Sequence, residues 1–230
     1  MTDTAFEPVR VARRTAETDF AIRVAPRTAA GGLVELPNRL LGHFVDHFAR
    51  GAGLSVAVER TAWPQSWEFD HVLCEDMGQL TGRAVAAIAE ERTARCGIPG
   101  RATAASAMDD AASTVRVTFE SRPRCAWSVP RRVDIDGYVD SWYTEGGAAG
   151  GVCYGTNLRQ FLDGFAYGSG ATVAIEVASG GNLHHLYETV FRNLGDAVGA
   201  ALGTAQRLPG EGSGLAGPPV YDVSRDEVRK

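Results

Sequence analysis

The chain reads as an α+β protein made of an internally duplicated unit, and three observations lead there. The segment His43-Phe44-Val45-Asp46-His47-Phe48-Ala49 returns as Gln160-Phe161-Leu162-Asp163-Gly164-Phe165-Ala166, keeping Phe, Asp, Phe and Ala in register. His71-Val72-Leu73-Cys74-Glu75 returns as His184-His185-Leu186-Tyr187-Glu188, and each copy places a Gly (82 and 195) eleven residues after its first His, followed by Ala-Val. Around both copies, short alternating segments of strand character are interleaved with segments of helical period. The expected organisation is a first half over residues 1–104, a second over 105–207, and a mobile Gly/Pro-rich tail over 208–230.

In chain order, residues 9–14 and 19–24 alternate in the strand manner, and 32–36 reads as a third short strand after a Gly-Gly turn. Residues 40–52 have helical period, with Leu41, Phe44, Val45 and Phe48 on one face and Gly51 and Gly53 at the end. Residues 54–59 return to alternation, and Asp70 can cap a helix running from His71 to about Glu91. The second half repeats the order. Residues 113–121 form a strand, 127–139 hold one or two more, and the glycines of 146–151 mark a turn or loop. A helix over 157–167, a strand over 172–177 and a long helix over 182–202 follow. Neither half covers its own apolar sheet face, so the halves are expected to pack helix layer on helix layer or to share a core.

With 28 acidic against 23 basic side chains in 230 residues and no Lys/Arg block, a nucleic-acid partner is not expected. No apolar run approaches the roughly 18 to 20 residues of a membrane span, and a soluble, cytoplasmic protein is expected. Cys74, Cys96, Cys125 and Cys153 show no metal-ligand spacing and are expected to be reduced. Trp63, Trp67, Trp127 and Trp142 either pack in the core or line an apolar pocket.

Chemistry concentrates in the histidines. Residues four apart on a helix share one face at about 6 Å, so His71 with Glu75, and His184 with Glu188, can each present an imidazole and a carboxylate to one ion. His185 is rotated by roughly 100° and must face another site. Taking the first-helix His, the His and Glu of one long helix and the adjacent His of the other copy gives His43, His71, Glu75 and His185, all present. The symmetry-related set is Gln160, His184, Glu188 and Val72, with two ligands missing, so one site is expected to be preserved and the other dismantled. Three nitrogens and a carboxylate suit Mn, Fe, Zn, Co or Ni.

Arg14-Thr15-Ala16-Glu17-Thr18, Asp70-His71-Val72-Leu73-Cys74-Glu75-Asp76, Ala107-Met108-Asp109-Asp110-Ala111, Ser121-Arg122-Pro123 and the run from Gly181 to Arg192 resemble imidazoleglycerol-phosphate dehydratases over residues 10 to 204. The resemblance implies two four-stranded sheets flanking a helical layer, similar to ribosomal protein S5 domain 2. It also implies a trimer-based homo-oligomer of about 24 subunits with active sites between subunits. It implies Mn as the metal, bound to the substrate imidazolate while a carboxylate moves the proton that drives loss of water. Glu17 and Glu188, with His184, are then the proton-moving residues, and Arg122, Arg101 and Arg192 the substrate-binding cations.

The chain departs from this pattern. Val72 and Gln160 stand where the family has His, Gly51 where it has His, and Gly100 where it has Arg, with Arg101 adjacent. Arg192 replaces a Lys, Arg122 matches outright, and the family's C-terminal Ser-Thr-Lys-Gly is missing. Each lost charge-assisted bond to a phosphate typically costs about 1.5 to 3 kcal/mol. The expectation is therefore a divergent, metal-dependent hydro-lyase holding one divalent transition metal per chain, Mn. It would act by proton abstraction and elimination of water, or isomerisation or cyclisation, on a small molecule other than imidazoleglycerol phosphate, in a specialised biosynthetic pathway. A genuine imidazoleglycerol-phosphate dehydratase and a noncatalytic structural relative are the alternatives.

Overall fold

Two sheets with one apolar face each, the first antiparallel and the second mixed, enclose four helices in the computed structural model, which describes residues 6–28, 34–62, 70–139, 154–203 and 208–212. β1 (Val9–Arg14) and β2 (Asp19–Pro26) form a hairpin whose turn is closed by Thr15, the hydroxyl accepting from the amides of Glu17 and Thr18. β3 (Leu54–Ala62) joins β2 to complete the first sheet, and Phe20, Ile22 and Val24 of the central strand are buried.

β4 (Arg101–Met108) and β5 (Ala111–Phe119) form a second hairpin whose Asp109 adopts a left-handed backbone, which Asp tolerates. β6 (Arg124–Ser128) and β7 (Ala171–Ser179) complete a sheet of order β4-β5-β7-β6. β6 runs parallel to β7, because the chain crosses over between them through a helix rather than a hairpin.

α1 (Arg39–Gly51) starts at Asn38, whose side chain accepts from the Leu41 amide, and α4 (Leu183–Ala201) starts at Asn182, which accepts likewise from His184. α2 (Asp70–Cys96) and α3 (Gly155–Ser169) complete the layer, α3 ending at the left-handed Gly170. α1 and α2 rest on the first sheet, α3 and α4 on the second, while α1 packs on α4 and α2 on α3 across the middle. A Cβ at Gly195 would lie 2.2 Å from the Phe48 carbonyl oxygen, and one at Gly82 2.4 Å from that of Phe165. Gly82 and Gly195 are equivalent in the two copies, as are Phe48 and Phe165, so the sequence repeat is also a repeat of tertiary contacts.

Several elements differ from expectation. β4 was not anticipated, because Arg-Ala-Thr-Ala-Ala-Ser-Ala-Met alternates among small residues with little contrast in polarity. The strand expected within 127–139 lies at Arg124–Ser128, and beyond it Pro130 cannot donate to a ladder and its carbonyl instead accepts from Val133 in a turn. The end of the strand expected at 32–36 is irregular; Val34 and Leu36 are buried and pack on α1 near Gly42, so the first sheet has three strands among the described residues. α2 continues to Cys96, past the expected end. The start of the tail expected to be mobile is tied to α2 and its end, with Gly210 donating to the Thr93 carbonyl and Ile98 to that of Glu211. The glycines of 146–151 and Trp63, Trp67, Trp142 and Cys153 lie outside the described residues.

Candidate metal centre

Where α1 crosses α4, four side chains from the two helices converge on one carboxylate. His43 and His47 occupy successive turns of α1, and His184 and Glu188 successive turns of α4. His43 Nε2 lies 3.3 Å from Glu188 Oε2, His47 Nε2 3.3 Å from Oε1, and His184 Nε2 3.5 Å from Oε2. The rings of His43 and His184 stack with centroids 5.3 Å apart, and Phe44 closes on His184 at 5.5 Å. Arg192, one turn beyond Glu188, donates to Oε1 at 2.6 Å. The close approach at Gly195 brings the two helices near enough for these contacts.

Burial pushes the Glu188 carboxyl up, but the attraction of His47, His43 and Arg192 outweighs it and holds the group below the usual glutamate range. Burial pushes the His47 imidazole down, and His43 and Arg192 add to that against the opposing pull of Glu188. The centre thus offers an ionised carboxylate beside an imidazole biased toward its neutral, electron-donating form. Imidazole nitrogens and a carboxylate oxygen suit a borderline divalent ion, and the donor atoms of His43, His47 and Glu188 all lie within 4.8 Å of one another.

The equivalent place in the other copy, between α2 and α3, is different. Glu75 accepts from Gln79 at 2.8 Å, a neutral counterpart of the Glu188 and Arg192 pair, and Gln160 stands where α1 has His43. These residues line an open groove of about 650 Å³ with Arg13, Arg124, Cys125, Asp163 and Tyr167. Among the described residues no group of metal-ligating side chains clusters there.

The expected ligands are distributed accordingly. His43 joins the centre, whereas His71 is exposed at the start of α2 and Glu75 faces the groove. His185 turns to the β4–β5 hairpin, with Nδ1 2.9 Å from Asp110 Oδ1 and Nε2 3.6 Å from Asp109 Oδ2. The set of His43, His71, Glu75 and His185 is therefore not brought together within one chain, because α1 packs on α4 and α2 on α3. His184 and Glu188 do lie together with His43. Glu17 is exposed in the β1–β2 turn, which Thr18 fastens to α2 by donating to Asp76 at 2.6 Å.

Among the expected cations, Arg192 is paired with Glu188 and its guanidinium also reaches Met108, at one end of β4. Arg101 is exposed at the other end of that strand, about 23 Å away at the usual rise per residue. Arg122 is exposed beside β6, its carbonyl accepting from Thr172. His47 escaped the sequence reading although it stands four residues after His43, the same spacing that singled out His71 with Glu75.

The family model described as imidazoleglycerol-phosphate dehydratase matches residues 36–198. The imidazoleglycerol-phosphate dehydratase of Deinococcus deserti is 30% identical over 208 residues, covering 86% of this chain and 94% of that protein. The Pyrococcus furiosus protein of the same name is 28% identical over 196 residues, covering 85% and 95%. A crystal structure of the Pyrococcus furiosus IGPD in complex with (S)-C348 superposes with a TM-score of 0.66 at 25% identity, covering 91% of this chain and all of that one. The Staphylococcus aureus imidazoleglycerol-phosphate dehydratase shares the fold, with a TM-score of 0.66 at 19% identity over 86% of this chain and 100% of that one.

Proposed function

The chain belongs to the imidazoleglycerol-phosphate dehydratase family, and from that premise we propose that it removes water from a small molecule other than imidazoleglycerol phosphate, at a metal centre built on His43 and Glu188. It is an enzyme of the dehydratase type, a hydro-lyase. The observation that carries the divergent substrate is the pairing of Arg192 with Glu188 at 2.6 Å, with Arg101 at the far end of β4. A phosphate dianion needs several aligned donors, and this chain offers fewer of them, with Gly51 and Gly100 standing where the family has His and Arg and Arg192 already tied to Glu188.

His43 and Glu188, backed by His184, would hold a divalent transition ion, with Mn the expectation from the family. When bound, such an ion supplies Lewis acidity that stabilises an anionic intermediate. The surrounding side chains do the rest. Arg192 adds to the pull of His47 and His43 that keeps Glu188 ionised, and it fixes one of the carboxylate oxygens. His184, stacked on His43 and four residues before Glu188, can take and return a proton at Nε2. Glu17, His71 and Glu75 lie toward the α2 side, and His185 is oriented by Asp110. A neighbouring copy would bring these groups to the ion, in keeping with the expected homo-oligomer.

Imidazoleglycerol phosphate and its dephosphorylated analogue, compared as substrates with loss of one water followed by mass spectrometry, test the reading. The expected result is that the phosphate gives no advantage. Efficient turnover of imidazoleglycerol phosphate that collapses without the phosphate would make the chain a genuine imidazoleglycerol-phosphate dehydratase. The 30% identity to the Deinococcus deserti enzyme over 86% of the chain favours that second reading.

A further inference from the structure

At position 47 the two helix pairs differ in the room they leave for a side chain. The counterpart of His47 is Gly164, where a Cβ would lie 2.5 Å from the Glu75 carbonyl oxygen and 3.1 Å from the Gln79 nitrogen, so α2 and α3 leave no room for a side chain. Between α1 and α4 the same place holds an imidazole. His43 and His47, one turn apart, straddle Glu188 with one Nε2 at 3.3 Å from each carboxylate oxygen. Their rings are 4.6 Å apart at 87°, and the three donor atoms lie within 4.8 Å of one another.

An ion with ligand bonds of about 2.0 to 2.2 Å spaces adjacent ligands about 3.0 to 3.5 Å apart, so both imidazole–carboxylate separations already match a shared ion. The geometry points to His47 as a metal ligand that, with His43 and Glu188, forms a divalent-metal site contained within one chain. The second imidazole that the sequence pattern sought on α2 or in the other copy comes instead from the next turn of α1. Nitrogen donors select Mn, Fe, Co, Ni or Zn over Mg or Ca. Arg192 stays on the rim as a fixed partner of one carboxylate oxygen. The inference rests on the metal dependence proposed above, and it adds that no second copy is needed to hold the ion.

Cobalt(II) titration of the chelator-stripped full chain tests it, followed by visible absorption and calorimetry for wild type, His47→Gln and His47→Cys, with circular dichroism melts as the folding control. Wild type is expected to take up about one ion per chain. His47→Gln should weaken binding at least about tenfold and alter the d–d bands. His47→Cys should retain cobalt and gain a thiolate-to-cobalt charge-transfer band in the near ultraviolet, which only direct coordination produces. If His47→Gln does not fold, that band decides. Unchanged affinity and spectrum in His47→Gln, or cobalt bound to His47→Cys without the new band, would overturn the ligand role and leave the dehydratase reading standing. Wild type that binds no cobalt would overturn the metal dependence as well.

Discussion

Replacing Gly195 by Ala tests whether the close contact of α1 and α4 builds the centre. The added Cβ would sit 2.2 Å from the Phe48 carbonyl oxygen, 2.9 Å from its carbon and 3.0 Å from the Phe48 Cα. All three atoms are backbone of a buried helix, so no side chain can turn aside. Relief requires α1 and α4 to part by about 1 Å, the shortfall from a normal carbon–oxygen contact. Overpacking of this kind costs about 1 to 3 kcal/mol and more where the obstacle is rigid. Ala returns about 1 kcal/mol through its better helix propensity.

With the backbone obstacle placing the cost at the upper end of that range, the expected net loss is about 2 kcal/mol, read as a lower urea midpoint by far-ultraviolet circular dichroism. The local effect should be sharper, because Phe48 is the residue after His47 and Gly195 lies two turns from Glu188 on α4. Parting the helices stretches the 3.3 Å contacts of His43 and His47 to Glu188, and cobalt affinity should fall about tenfold or more. A Gly195→Ala protein that matches wild type in both urea midpoint and cobalt affinity would refute the reasoning about this interface.

Burial raises the Asp70 pKa from 3.8 to about 6, with the Asn38 side chain and His71 opposing. The folded state therefore takes up this proton before the unfolded state does, and Asp70 costs stability above about pH 6 that is regained as pH falls toward 4. Asp70→Asn should raise the melting temperature at pH 7.5, by the equivalent of about 1 kcal/mol after discounting for solvent screening, and much less at pH 4.5; an equal gain at both pH values would count against it. Burial, then Asp163, pushes the Cys125 thiol up to about 12, so it should resist iodoacetamide in native protein at pH 8.5 and react only after unfolding, as site-resolved mass spectrometry would show. Chelation should lower the melting temperature, since an ion at about 100 times its Kd contributes about 2.7 kcal/mol of stability; scanning calorimetry with and without chelator measures it, and identical scans would contradict an ion at the centre.

The duplication, the four helices and the chelating spacings were legible because each is a local property. A helix of 3.6 residues per turn puts positions four apart on one face whatever surrounds it, so the pairing of His184 with Glu188 followed from numbering alone, and that of His43 with His47 was there to be read. The Phe and Gly offsets that marked the repeat correspond in the fold to the twin contacts of Gly82 on Phe165 and Gly195 on Phe48. β4 was hidden because strand reading depends on contrast between faces, and its small residues offer little.

Which helix faces which was beyond the sequence, because it depends on how two sheets bury their apolar faces against one helical layer. That packing sets α1 on α4 and α2 on α3, so His43 meets Glu188 rather than Glu75, and Arg192 meets Glu188 rather than an open pocket. It also decides the fate of equivalent positions. The same turn of the repeat that is sealed against the α2 backbone at Gly164 is open at His47, because the two helix pairs do not approach equally, and no periodicity along the chain encodes that spacing.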